Sequence, residues 1–332
     1  MNRLSPLGCA LVRGAGTVAS LLGPGGRGLL VLIYHRVLAV PDPLSEGDVD
    51  ATRFAGQMDL LASCFSVLPL SEALERLPSG SLPPRAVSVT FDDGYADNLE
   101  VALPIMRRYG VRATVFVASG YLDGGLMFND AVIQAVRQAP ARVDLSDLGF
   151  GVLDLPDVQS RRAAIGRLIG ELKYRPPAER RERAMEMLER TGGSAPQLML
   201  TTRQVRALRD AGVEIGAHTA THPILTRIEP ATAREDMAQS KDVLEGILGE
   251  PVRLFAYPNG RPCRDYDARH VTMARELGFA AAVSTAWGAA YPDCDLFQVP
   301  RVAPWDATAT RYSTRLVKSY AQRGHTVAPV EG

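Results

Sequence analysis

Residues 86–94, Ala86-Val87-Ser88-Val89-Thr90-Phe91-Asp92-Asp93-Gly94, decide the fold. Six residues without a charge run into two adjacent carboxylates and a glycine. A short uncharged run that stops at a turn signal is the pattern of a strand buried on both faces of a parallel sheet. The pattern occurs upstream in Leu29-Leu30-Val31-Leu32-Ile33-Tyr34, which ends at His35, and downstream in Ala113-Thr114-Val115-Phe116-Val117-Ala118. Between the second and third runs, residues 97–109 are helical in character and Gly110 closes them. Strand patterns resume at 213–216, 253–257 and 280–283. Helical stretches accompany them at 203–210, with Thr202 as cap, and at 231–248, ahead of Gly249. Strand and helix therefore alternate, which predicts parallel βαβ units with functional groups where strands end and loops begin.

Residues 121–200 break that rhythm. Ile165, Leu168, Ile169 and Leu172 recur at helical spacing, and Pro176-Pro177 stops one helix and opens another that reaches Gly192-Gly193. A helical insertion is predicted, its arginines and glutamates forming a solvated face. The expected organisation is an apolar, flexible segment at 1–27, a main domain at 28–312 carrying the insertion at about 121–200, and a tail at 313–332.

Composition removes several function classes. The 332 residues are 46% hydrophobic and 22% charged, ordinary for a globular α/β chain. The 37 basic and 37 acidic residues cancel, so no nucleic acid or anionic membrane is expected to be gripped through bulk charge. Cys9, Cys64, Cys263 and Cys294 show no CxxC spacing and read as free thiols. Residues 4–22 are mildly apolar but broken by Arg13 and glycines, and fall short of the ~20 apolar residues of a transmembrane helix. A cytoplasmic location is expected, with membrane-peripheral and exported states as alternatives. Nothing in the sequence fixes the oligomeric state.

Two carboxylates at the end of a buried strand need a cation or hydrogen bonds to offset their charge. Alone, Asp92-Asp93-Gly94 is equally a turn. His218-Thr219-Ala220-Thr221-His222 shifts the balance, because two of the five histidines lie one helical turn apart beyond a strand end and can face one point. One carboxylate and two imidazoles make a three-ligand site with open positions, the arrangement of a catalytic metal.

With these two pairs at strand ends, the sequence resembles the polysaccharide deacetylase family, also called the NodB homology or carbohydrate esterase 4 family. Further matches are Ile33-Tyr34-His35-Arg36-Val37, Thr90-Phe91-Asp92-Asp93-Gly94 and Phe255-Ala256-Tyr257-Pro258-Asn259-Gly260. The resemblance implies a distorted (β/α)7-type barrel and a hydrolase that removes acetyl groups from N-acetylated sugars, so the partner is an N-acetylated glycan. It implies Asp92 as general base, and Asp93, His218 and His222 around a divalent cation, zinc first, with cobalt or nickel as alternatives. It places the oxyanion beside the backbone N–H of Asn259, in the turn formed with Tyr257 and Pro258.

Two positions depart from the family pattern. The arginine that holds the catalytic aspartate is replaced by Ala256, and Arg301 in Val299-Pro300-Arg301-Val302 is the candidate substitute. In that role, Arg301→Ala lowers turnover far more than stability. The family's late histidine is also unrecognisable, since His270 falls in a helical segment and His325 in a polar tail. His35 is the candidate to protonate the leaving amine or bind substrate. Trp305 and Trp287 are candidates for stacking on a sugar ring, or for packing. The rivals are a silent glycan-binding module on the same fold and a hydrolase of nonsugar amides. A glycosidase ranks behind them, because its two carboxylates stand about 5–10 Å apart across the sugar.

Overall fold

The computed structural model describes residues 4–21, 26–303, 305–322 and 328–329. Seven parallel strands form one curled sheet: β1 Leu29–Tyr34, β2 Ser66–Val67, β3 Ala86–Phe91, β4 Ala113–Val117, β5 Glu214–Ala217, β6 Leu254–Ala256 and β7 Ala281–Val283. Their spatial order is β1-β3-β4-β5-β6-β7, with β2 pairing the start of β3. Residues 299–302 bring the two edges together. Val299 bridges Val283, Val302 bridges Leu32, and the Val302 N–H donates to Val31 O at 2.8 Å. The result is the distorted (β/α) barrel that the family resemblance implies, built from the parallel βαβ units that the strand–helix alternation predicts.

Strand alternation sorts the side chains between two cores. Leu29, Val31, Phe116, Leu254, Ala256 and Val283 cluster with Leu70 and Leu74 from the helix Leu70–Arg76. Leu30, Leu32, Val87, Val89 and Phe91 turn the other way, onto Phe54, Met58 and Leu61 of the helix Ala51–Cys64. Ser88, Thr90 and Asp92 alternate with Val89 and Phe91 and so face the first cluster. That parity aims Asp92 inward from the end of β3.

Several local expectations change. The cap of the helix Thr202–Asp210 is Thr201, which exchanges hydrogen bonds with Gln204 in a capping box, and Thr202 is already helical. The stretch after Asp97 opens with a π-helical turn at Asn98–Ala102 before the helix Leu103–Arg108. Residues 121–200 hold the helices Phe128–Gln138, Val158–Lys173 and Pro177–Arg190, together with an antiparallel hairpin of Arg142–Leu145 and Gly151–Asp154. They share a core of their own, with Ala135, Leu145, Leu153, Leu168 and Met187 buried.

A boundary at 312 falls inside the helix Ala309–Tyr320. Tyr312, Leu316 and Tyr320 are buried, and Tyr320 Oη donates to Ala86 O at 2.7 Å, so this helix belongs to the barrel wall. At the other end the helix Pro6–Leu21 is tied down as well, with Ser20 Oγ accepting from Arg85 N at 3.1 Å and Arg13 Nε donating to Ser63 O at 2.8 Å. No helix among the described residues is long and apolar enough to cross a membrane. His325 lies outside the described residues.

Candidate active site

Asp92 meets Arg301 in a two-pronged pair. Nη1 reaches Oδ1 and Nη2 reaches Oδ2, both at 2.7 Å. The guanidinium is itself fixed by Ser284 O at 2.9 Å and Thr90 Oγ1 at 3.3 Å. Arg301 comes from the segment that closes the barrel and lies beside β3 only in three dimensions. Burial alone would push the Asp92 carboxyl up, but Arg301, then His218, outweigh it and hold it below its ordinary value. Asp92 is therefore ionised at neutral pH.

Asp93, one residue on, is turned away by a left-handed backbone (φ 73°) followed by Gly94 (φ 84°). Its Oδ1 lies 3.5 Å from His218 Nε2 and 3.4 Å from His222 Nε2, and the ligand atoms of all three residues fall within 4.8 Å of one another. The two histidines do not face this point from a helical turn, as their spacing suggests. Residues 218–222 form a loop with Thr219 at φ 64° and His222 at φ 50°. Such backbone costs of order 1–3 kcal/mol per residue and persists where surrounding contacts enforce it.

The donor set fits a divalent cation. Asp93 Oδ1 is buried and without a hydrogen-bond partner, which is costly for a carboxylate oxygen. His218 Nδ1 lies 2.7 Å from Ala256 O, a pure acceptor, so Nδ1 carries the proton and Nε2 turns its lone pair to the same point as Asp93. Burial pushes the His222 imidazole down to about 3, against the pull of Asp93, leaving a second lone pair there. For His218 burial pulls down too, yet Asp92 and Asp93 together raise it, a demand for positive charge that a cation would meet. Ligands about 2.0–2.1 Å from a tetrahedral zinc stand roughly 3.3 Å apart, close to the two spacings found here.

The other candidates divide. His35 is exposed at the end of β1 and lines the cavity, of about 310 Å³, that holds Asp92, Asp93, His218 and His222. Asn259 (φ 58°) lines it too, its carbonyl accepting from Thr285 Oγ1 at 2.7 Å. Tyr257 does not reach substrate. Its ring is buried and stacked on Tyr266 at 3.9 Å, and Oη is committed to Phe297 O at 3.0 Å. Pro258 is buried in the turn and lines neither cavity. Trp305 is 61% exposed, 5.7 Å from the Trp287 ring, and lines an adjoining cavity. His270 completes a capping box with Asp267, a structural use. The insertion contributes Phe128, Asn129, Ile169, Lys173 and Arg180 to the wall facing the carboxylates.

Sequence reasoning passed over Asp236. Its Oδ1 accepts from Ala220 N at 2.7 Å, and Oδ2 accepts from Thr221 Oγ1 at 2.5 Å and Thr221 N at 3.2 Å. This buried carboxylate on the helix Pro230–Leu248 holds the loop between the two histidines. An aspartate within a long amphipathic helix carries no local signal of that duty. Asp236→Ala should weaken divalent-cation affinity about 10- to 100-fold, measured by competition with a chromophoric chelator. Unchanged affinity would mean the loop holds its shape unaided.

The sequence profile of the polysaccharide deacetylase family matches residues 79–146 and 155–282. YxkH of Bacillus subtilis (strain 168), named as a polysaccharide deacetylase, is 23% identical over 279 residues, which are 82% of this chain and 70% of that protein. Among solved structures, the Streptococcus pyogenes deacetylase PplD in complex with acetate superposes with a TM-score of 0.60 at 20% identity, over 89% of this chain and 99% of that one. IcaB from Ammonifex degensii gives 0.56 at 20% identity, over 90% and 98%. At these identities the two structures speak to the fold alone. With the profile covering more than half of its length, the chain belongs to the polysaccharide deacetylase family, hydrolases of carbon–nitrogen bonds that deacetylate polysaccharides.

Proposed function

We propose that the protein removes N-acetyl groups from an N-acetylated glycan, with Asp92 as general base and Asp93, His218 and His222 as ligands of a divalent cation, zinc first and cobalt or nickel next. The observation that carries this is the pair of unlike carboxylates. Asp92 is neutralised by Arg301, while Asp93 Oδ1, one residue away, has no hydrogen-bond partner and faces two imidazoles. A silent binding module has use for the second and none for the first.

The cation would supply Lewis acidity, making a water more acidic and polarising the acetyl carbonyl. Asp92 takes the proton from that water as its oxygen adds to the carbonyl carbon. Arg301 keeps the carboxylate ionised and fixed, so Asp92 accepts the proton without moving. The backbone N–H of Asn259, in a turn anchored by Thr285, is the donor for the oxyanion. Cleavage of the C–N bond needs a proton on the departing nitrogen. His35 supports that role by position, since it is exposed in the same cavity as Asp92. Acetate and a free amine leave.

Metal-stripped protein should lose acetate release from N-acetylhexosamine oligomers and regain it with zinc, cobalt or nickel at one ion per chain. Chelator-insensitive release would contradict the assignment of Asp93, His218 and His222.

A further inference from the structure

The cavity that holds the metal ligands and the one beside Trp287 and Trp305 share Ile33, His35, Lys173, Asn259 and Thr285, so one cleft runs from the carboxylates to the tryptophan pair. Its charges do not balance. Arg301 is matched by Asp92 and Arg36 by Asp97 at 2.8 Å. Lys173, Arg180 and Arg261 also line the cleft, and among the described residues none has a carboxylate within 4.0 Å. Arg180 is 4% exposed and stacked 4.3 Å over Phe128, and it donates only to backbone, to Lys173 O at 3.3 Å and His222 O at 3.2 Å. A guanidinium held so firmly surrenders little further freedom on meeting an anion. Lys173 is half-buried and Arg261 exposed across the opening.

The acids left to oppose them on the walls are Asp48 and Asp93. Asp265 stands behind, 1% exposed and accepting from Arg261 N at 3.1 Å, and lines neither cavity. A divalent cation would more than cancel Asp93. The chain as a whole is neutral, so this positive field is local to the cleft, where low-dielectric walls strengthen it. Lys173 and Arg180 both come from helices of the insertion, which thereby sets the electrostatics of a site that it does not otherwise build.

Resting on the deacetylase reading above, we propose that the cleft takes an acidic glycan, one whose N-acetylated sugar carries or adjoins a carboxylate or phosphate, with Lys173 and Arg261 meeting the anion and Arg180 reinforcing the field behind them. A neutral amino-sugar chain would displace water from Lys173 and Arg261 without offering either an anion.

The test is calorimetric binding to the metal-stripped chain, which keeps the Asp92–Arg301 pair intact and does not depend on turnover. The probes are chitotetraose, an N-acetylglucosamine–glucuronate tetramer and an N-acetylglucosamine-1-phosphate oligomer, at low and high salt. One or both acidic probes should bind at least tenfold tighter than chitotetraose at low salt, the stronger identifying the anion. Lys173→Gln with Arg261→Gln should erase that margin. Equal or weaker binding of the acidic probes would overturn the proposal, as would a margin that survives the double substitution. Acetate release by the wild-type chain, assayed separately on all three probes, reports on deacetylation itself. Acidic preference without release from any probe would sink the reaction and leave the binding assignment standing.

Discussion

Replacing Asp92 by Asn should lower kcat by about 10²- to 10⁴-fold, the range typical of losing a general base, and leave bound zinc at one ion per chain. Asn is nearly isosteric and keeps an oxygen for one prong of Arg301, so the metal ligands should stay in place and KM should change little, although the variant should lose stability because the buried Arg301 charge no longer faces a carboxylate. The base is lost because an amide cannot accept a proton at neutral pH. Metal content by mass spectrometry and acetate release measured on the same preparation check both halves. A parallel loss of zinc would reassign Asp92 to the ligand set, an outcome worth watching for because its Oδ2 lies 3.9 Å from His218 Nε2. Full activity would remove the base from the mechanism altogether.

The difference between Asp92 and Asp93 shows how much of the site the sequence carries. Strand parity was readable: Val89 and Phe91 pack outward, so Asp92 must point inward with Thr90. The reversal at Asp93 was not, because a left-handed aspartate looks like any other until Gly94 and the loop from β4 constrain it. The same limit applies to residues 218–222. Spacing put both imidazoles on one side, but the agents that hold them are Asp236 on a distant helix and Ala256 O on β6. Thr201 was missed as a cap because Thr202 beside it has the same chemistry, and only backbone geometry separates them. The hairpin within residues 121–200 alternates over four residues a strand, too few to stand out against flanking helical periodicity. The helix Ala309–Tyr320 reads as a tail because Leu316 is the one large aliphatic side chain on its buried face, which is otherwise Ala309, tyrosines and serines. What the sequence does carry well is anything decided by neighbours within a turn or a strand. What it hides is long-range.

Arg301→Ala should destabilise the fold as well as slow the reaction. Arg301 is 1% exposed and Asp92 3%, so the pair is not a surface contact that side-chain entropy and solvent would reduce to near zero. Deleting one partner of a buried pair costs about 3–5 kcal/mol, because the other charge is left uncompensated. The sequence-based expectation of a large loss in turnover with little loss in stability therefore gives way to loss of both, and pH separates the two effects. In the wild type the Asp92 pKa is held below its unfolded value of roughly 3.9, so the pair's contribution is present above that pH and fades as pH falls through the folded pKa. In Arg301→Ala, burial, the largest influence on Asp92, meets weaker opposition from His218 and raises the pKa. The stability gap between the two proteins should thus be widest near neutral pH and narrow toward pH ~4. The acid limb of kcat/KM should move to higher pH in the variant. Arg301→Lys keeps the charge but cannot span both carboxylate oxygens, so it should recover most of the pH shift while leaving turnover impaired. An Arg301 that acts on stability alone would give the same pH-dependent stability gap but an acid limb that stays where it is in the wild type.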